Sequence, residues 1–255
     1  MQFSVLSSGS KGNSLYVEAN GTKILLDAGL SAKHLTARLA SIGRQPGDLD
    51  AVFLTHEHSD HVRGVGPLVR KHNLPLFSTE GTYKRIRHAA GRIPAWTPIR
   101  AEEPVTLGGL VLEPYSTPHD AEESVAFVIR HGPIKLGHVT DLGCVTPRVK
   151  EKLAKSDALL LEANHDIQML EAGPYPWPLK QRIKSELGHL SNEACGDLLA
   201  AVAHSRLRLV VLMHLSETNN HPDIADITAR QALGESRAQL ILARQDQPTK
   251  LIPLD

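Results

Sequence analysis

His56-Glu57-His58-Ser59-Asp60-His61 places four metal-ligating side chains in six positions, directly after the apolar run Ala51–Thr55. A strand that ends in a tight loop can aim His56 and His58 at one point. The following turn can aim Asp60 and His61 at a second point a few ångströms away. Imidazole and carboxylate together suit zinc, manganese or iron rather than calcium or magnesium alone. A merely polar loop has no need of this density of ligands. Working outward, other apolar runs also end in ligand-type residues. Lys23–Asp27 ends at Asp27, Leu110–Ser116 leads to His119, Ile134–Thr140 ends at Asp141 and Leu207–Met213 ends at His214. Loops at one edge of an α/β sheet are where a rigid scaffold holds reactive groups, and these five endings could form one site.

The rest of the chain agrees with a metal-dependent globular enzyme. Its 255 residues suffice for one large domain, expected over 1–255, and 41% are hydrophobic. Lys plus Arg and Asp plus Glu both number 28, so a protein that coats a polyanion over a whole face is excluded, whereas a local basic groove is not. With only Cys144 and Cys195, no disulfide framework or cysteine-rich zinc module is available. The 14 histidines outnumber Phe, Tyr and Trp combined. Met1–Ser14 has no basic segment leading into an apolar one, and no run is long enough to span a membrane, so the expectation is a cytoplasmic protein without membrane contact. No repeat is evident.

Strands are expected at Phe3–Leu6, Leu15–Ala19, Lys23–Asp27, Ala51–Thr55, Leu76–Ser78, Leu110–Ser116, Ser124–Arg130, Ile134–Thr140, Ala158–Ala163, Leu207–Met213 and Gln239–Ala243. Helices are expected at Ser31–Ile42, Val62–Lys71, Glu80–Ala89, Pro147–Lys155, Asn192–Ala203 and Pro222–Leu233. Ser191 and Asn192 suit an N-cap, and Gly43 and Gly234 lie just past helix ends. Strands with helices between and around them predict a layered α/β domain.

The spaced ligand motifs resemble those of the metallo-β-lactamase-fold hydrolases, in order and over nearly the whole chain. That resemblance implies a four-layer αββα sandwich with two divalent metal ions. It implies one site of His56, His58 and His119, a second of Asp60, His61 and His214, and Asp141 bridging them. Asp27 is implied to steady a ligand histidine or its loop. Two ions roughly 3.5–4 Å apart activate a water and take up charge on a phosphoryl or carbonyl oxygen, which makes Asp60 and Asp141 catalytic as well as ligating. His189, in Gly188-His189-Leu190-Ser191-Asn192, resembles the histidine of ribonuclease Z that contacts the scissile phosphate, and is the candidate proton donor. Its place at the opening of a helix suggests exposed N–H groups for a phosphate. Cys144 is expected to be a packed thiol.

Only 47 residues separate Asp141 from His189, too few for the cap of the β-CASP nucleases. The opening Ser7–Ser14, the stretch Gly173-Pro174-Tyr175-Pro176-Trp177-Pro178, and the segments around His189 and His214 resemble the YycJ/WalJ group. That group implies a 5′-to-3′ exonuclease on double-stranded DNA. Lys180 and Arg182, with Lys184, could guide a phosphate backbone, and Tyr175 or Trp177, held in a proline-rich loop, could stack on a terminal base. The alternative is a small-molecule hydrolase of the same fold, such as a glyoxalase II-like thioesterase or a cyclic phosphodiesterase. Oligomeric state is not legible.

Overall fold

A computed structural model describes all 255 residues, Met1–Asp255. Strands β1 (Gln2–Ser7), β2 (Ser14–Ala19), β3 (Thr22–Leu26), β4 (Ala51–Phe53), β5 (Pro75–Ser78) and β6 (Ala95–Pro98) lie side by side in chain order. The first three run antiparallel and β3 to β6 run parallel. A second sheet holds β7 (Val105–Leu107), β8 (Leu110–Ser116), β9 (Val125–His131), β10 (Ile134–Val139), β11 (Ala158–Glu162), β12 (Leu209–Met213) and β13 (Gln239–Leu242). It is antiparallel from β7 to β10 and parallel from β10 to β13. Strand β14 (Ile252–Pro253) returns to pair with β1.

Parallel neighbours need crossovers, and helices supply them. Helices α1 (Ala32–Ser41), α3 (Val65–His72) and α4 (Glu80–Ala90) join β3 to β4, β4 to β5 and β5 to β6. In the second sheet α5 (Pro147–Leu153), α8 (Asn192–Val202) and α9 (Pro222–Leu233) make the same three connections from β10 to β13. The short helices α2 (Ser59–Val62), α6 (Ile167–Ala172) and α7 (Trp177–Lys184) sit within the loops that leave β4 and β11.

Period-two alternation assigns side chains to layers. Ile24, Leu26, Ala51 and Phe53 meet Phe127, Leu136, Leu160 and Val211 between the two sheets. Their neighbours Leu25, Val52 and Leu54 face outward onto Leu35, Leu39, Val65 and Leu68 of the first helical layer. Leu159, Leu161, Val210 and Leu212 likewise meet Val149, Leu198, Leu199 and Ala229 of the second. Three apolar layers between four structural ones make the αββα sandwich. No helix is long and apolar enough to cross a membrane.

The expected helix at Val62–Lys71 is two helices. Ser59–Val62 already carries Asp60 and His61 in one turn, and a new helix starts after Gly64. A Cβ on Gly64 would collide with the Leu30 carbonyl, so this break is where the chain passes close to the 28–30 loop. Strands β6, β7 and β14 and helices α6 and α7 were not expected.

Gly29 fixes the second close approach. Its N–H donates to Asn13 O (2.9 Å), and Asn13 N–H donates to Asp60 O (2.7 Å). A Cβ on Gly29 would fall inside the van der Waals shell of the Asp60 carbonyl. Gly29→Ala should therefore destabilise by about 1–3 kcal/mol, the usual cost of overpacking. The urea midpoint should drop at an unchanged m-value; an unchanged midpoint would mean that the loop yields freely.

Candidate metal centre

Every residue of the centre follows the carboxyl end of a strand. His56 and His58 come after β4, with Asp60 and His61 on α2. His119 follows β8, Asp141 follows β10, Glu162 ends β11 and His214 follows β12. Asp27, Asp141 and His214 all have left-handed backbone, with φ of 61°, 59° and 55°. Such residues cost of order 1–3 kcal/mol each, and surrounding bonds must hold them. His214 is held at both backbone groups: its N–H donates to Ser8 Oγ (2.7 Å) and its carbonyl accepts from Asn164 Nδ2 (2.9 Å).

The side chains converge in overlapping groups. His56 Nε2 and His119 Nε2 lie 3.1 and 3.2 Å from His58 Nδ1. His61 Nε2 lies 3.5 Å from Asp60 Oδ2 and 3.2 Å from Asp141 Oδ2. His214 reaches Asp141 Oδ1 with Nδ1 (3.1 Å) and Asp60 Oδ2 with Nε2 (3.8 Å). Asp141 Oδ1 is also 3.9 Å from His119 Nε2, so this carboxylate lies between the two groups. Ligand atoms of His56, His58 and His119 could hold one cation, and those of His56, His61 and Asp141 are also mutually close. A third group joins Asp141, Glu162, His189 and His214. Asp60 stands at the edge of the cluster, where Asn13 Nδ2 donates to its Oδ2 (3.1 Å).

This donor set fits divalent cations on an observation of its own. Asp141 Oδ2 and His214 Nδ1 are buried without a hydrogen bond, an arrangement folded proteins avoid unless something else satisfies the atoms. Asp27 holds the cluster from behind: its Oδ2 lies 2.8 Å from His61 Nδ1, and Thr55 donates to both of its oxygens. Burial is the largest single influence on His61 and His214 and opposes their charge, but Asp141, joined by Asp27 at His61 and by Glu162 at His214, raises both pKa values. Burial opposes the Asp141 charge as well, but His214 and His61 hold its carboxyl well below the usual range. Desolvation lowers His56 and His119.

Glu162 is the residue that sequence reasoning missed. It is fully buried and accepts from Leu142 N (2.8 Å) and Leu190 N (3.3 Å), while its Oε1 lies 2.7 Å from His189 Nδ1. Burial alone would lower the His189 pKa, but the Glu162 carboxylate raises it to about 9. A glutamate ending a buried apolar strand was the available signal. His189 was expected to open a helix, and it does not. Helix α8 starts at Asn192 with Ser191 as N-cap. The His189 N–H donates to Ile183 O (2.9 Å) and Leu190 N–H to Glu162, so no backbone cradle for a phosphate exists there.

Beside His189 opens a cleft of about 230 Å³ lined by Tyr175, Leu179, Arg182, Ile183, Asn164 and Ser216 among others. Arg182 Nε pairs with Asp120 Oδ2 at 2.5 Å. Three expected substrate contacts do not line this cleft. Lys180 Nζ donates to Glu171 O (2.8 Å), and Lys184 pairs with the Glu171 carboxylate (2.6 Å). Trp177 begins α7 instead of sitting in a loop, and is 70% exposed, away from the cleft. Cys144 is half-buried, not packed away, and belongs to none of the ligand groups.

Residues 22–215 match the family model described as a beta-lactamase superfamily domain. The exodeoxyribonuclease WalJ of Streptococcus pneumoniae is 38% identical over 239 residues, which cover 92% of this chain and 89% of WalJ. The exodeoxyribonuclease YycJ of Bacillus anthracis is 37% identical over 237 residues, covering 92% and 90%. Among solved structures, the metallo-beta-lactamase fold protein YhfI of Bacillus subtilis superposes with a TM-score of 0.75 at 16% identity, over 98% of this chain and 99% of that one.

Three residues before Asp141, on β10, His138 is buried with Nδ1 unpartnered, and burial pushes its pKa down to about 4. An unfolded histidine titrates near 6.5. The folded state thus disfavours the proton: stability is fully present above about pH 6.5 and is lost as pH falls toward 4, by roughly 3 kcal/mol. Chelator-treated protein should show a falling urea midpoint over that window, and His138→Leu should flatten part of the fall. Parallel curves for the two proteins would mean that His138 gains its proton without cost.

Proposed function

The chain belongs to the β-lactamase superfamily and is a metal-dependent hydrolase, and from that premise we propose that it is a dinuclear-metal exonuclease acting 5′ to 3′ on double-stranded DNA. The observation that carries this reading is one composite centre. Six of the seven expected ligand side chains fall in overlapping close groups, with Asp60 at their edge, beside a cleft lined by His189, Arg182 and Tyr175. WalJ and YycJ, each matching nine-tenths of the chain, are named exodeoxyribonucleases, which supports DNA as the substrate.

In this reading His56, His58 and His119 would hold one ion, Asp60, His61 and His214 the other, with Asp141 placed between the two groups. Two such ions, of zinc, manganese or iron, would supply water activation and neutralisation of charge on a phosphate oxygen. The remaining work falls to the protein. Glu162 accepts the Nδ1–H of His189, which leaves Nε2 to give a proton to the departing oxygen. The bond to Glu162 favours the protonated ring, whose pKa is raised to about 9 in the metal-free site. Arg182, held by Asp120, contacts a phosphate, and Tyr175 stacks on a base. A cleft of about 230 Å³ takes little more than a terminal nucleotide. That size would also suit the substrate of a small-molecule hydrolase, and salt separates the two readings. A polymer held through several phosphates loses affinity steeply as salt rises, and a small monoanion does not.

Metal analysis followed by a product time course on 5′-labelled linear duplex tests the proposal. Two metals per chain and immediate release of labelled mononucleotide are expected, with covalently closed circles left intact. Cleavage of closed circles, or label released only at the end of digestion, would overturn it. His189→Ala should keep both metals and lose roughly 10²–10⁴-fold in kcat, the usual scale of general acid catalysis. His214→Ala should lose a metal as well. Should His189→Ala also lose one, His189 is a ligand and not the acid.

A further inference from the structure

Each histidine that enters a metal centre offers one ring nitrogen and needs its other nitrogen held, because that bond fixes tautomer and orientation. In the first ligand group the inward atoms are His56 Nε2, His58 Nδ1 and His119 Nε2. The outward Nδ1 of His56 lies 3.0 Å from Thr55 Oγ1, and that of His119 lies 3.1 Å from Gly188 O. His61 has Asp27 at 2.8 Å. His58 differs because its outward atom is Nε2, and the carboxylate that faces this atom is Asp120, with Oδ1 3.8 Å away.

Asp120 has an oxygen to spare. Its Oδ2 is taken by Arg182 Nε, while Oδ1 is buried without a hydrogen bond. Oδ1 also lies 3.5 Å from His119 Nε2. The backbone leaves the residue little room to move: Asp120 N–H donates to Leu187 O at 3.0 Å, which ties its loop to the turn that carries His189. A carboxylate placed this way, with one lone pair unused beside an imidazole edge, is the partner His58 otherwise lacks.

Resting on the metal-centre reading above, we propose that Asp120 is the positioning residue of His58, accepting its Nε2–H and so directing the Nδ1 lone pair inward with His56 and His119. With the backbone fixed, turning the carboxyl group about its own side-chain bonds to bring Oδ1 about 1 Å closer to Nε2 closes the bond. The other oxygen of the same carboxylate holds Arg182 on the cleft wall. One residue therefore sets both the ligand geometry and the seat of the phosphate contact.

Zinc affinity measured by competition with a chromophoric chelator tests this without reference to turnover. Asp120→Asn should weaken one of the two sites roughly 10–100-fold, the scale seen when a partner of a ligand histidine is removed. The melting temperature of the metal-free protein should stay nearly unchanged. Arg182→Gln removes the ion pair but keeps the carboxylate, and should leave both zinc affinities near wild type. In the zinc-loaded wild-type protein, the His58 Nε2–H should give a proton resonance protected from exchange, a readout independent of any variant's folding. Absence of that resonance, or wild-type zinc affinity in Asp120→Asn, would overturn the role of Asp120 alone. Complete loss of one zinc in Asp120→Asn, beyond that 10–100-fold weakening, with the His58 Nε2–H still protected in the variant, would make Asp120 a direct ligand and also overturn it. If the wild-type chain binds no zinc at all, the metal-centre reading fails, and this assignment with it.

Discussion

A carboxylate that is 2% exposed must be compensated, and Asp141 is the charge around which this site is organised. An isolated buried carboxylate is costly, and its protein answers with paired, hydrogen-bonded partners. Here the partners are His61 and His214, both of which Asp141 raises toward the charged form. Glu162 adds a second, fully buried carboxylate, and His189 answers that one. Even so, an oxygen of Asp141 and a nitrogen of His214 remain unsatisfied. Compensation by histidine alone is incomplete, and a bound cation would complete it. The left-handed backbone at Asp27, Asp141 and His214 belongs to the same constraint.

Much of this was legible because it is local. Four ligands in six residues identify themselves, and the polar ends of apolar runs mark His119, Asp141 and His214. Glu162 was not legible, because its role depends on His189, which lies 27 positions further on and reaches it only through the fold. The two edge strands Ala95–Pro98 and Val105–Leu107 escaped notice because, at four and three residues, they are too short for alternation to stand out. The stretch around Pro174, Pro176 and Pro178 read as loop. Yet Pro178 falls in the first turn of α7, where a missing N–H costs nothing. The helical start then carried Trp177 outward and Arg182 toward the cleft. His189 was placed by its neighbours' capping signals, which belong to Ser191, two residues later.

Zero net charge acquires a local meaning in the structure. The basic residues near the cleft are nearly all matched: Arg182 by Asp120, Lys184 by Glu171, Arg85 by Glu122 and Lys11 by Glu217. Surface pairs of this kind contribute little stability. They do hold long side chains in defined places and keep the field over the cleft weak at distance. The positive character offered to a phosphate is therefore a matter of a few ångströms rather than of a whole face.

The two sheets share one wiring diagram. Three antiparallel strands lead into three parallel ones through three helices, first from β1 to β6 and again from β8 to β13. In each, the third strand is followed by an aspartate in left-handed conformation, Asp27 and Asp141. The amino-acid sequence shows no repeat, yet the two halves share one topology. Asp27 and Asp141 are equivalent positions in the two halves, one steadying a histidine and the other facing the ligand cluster. The centre lies on the seam between the halves, with His56 and His58 from one and His119 and His214 from the other. The group of His56, His58 and His119 therefore exists only where the two halves meet.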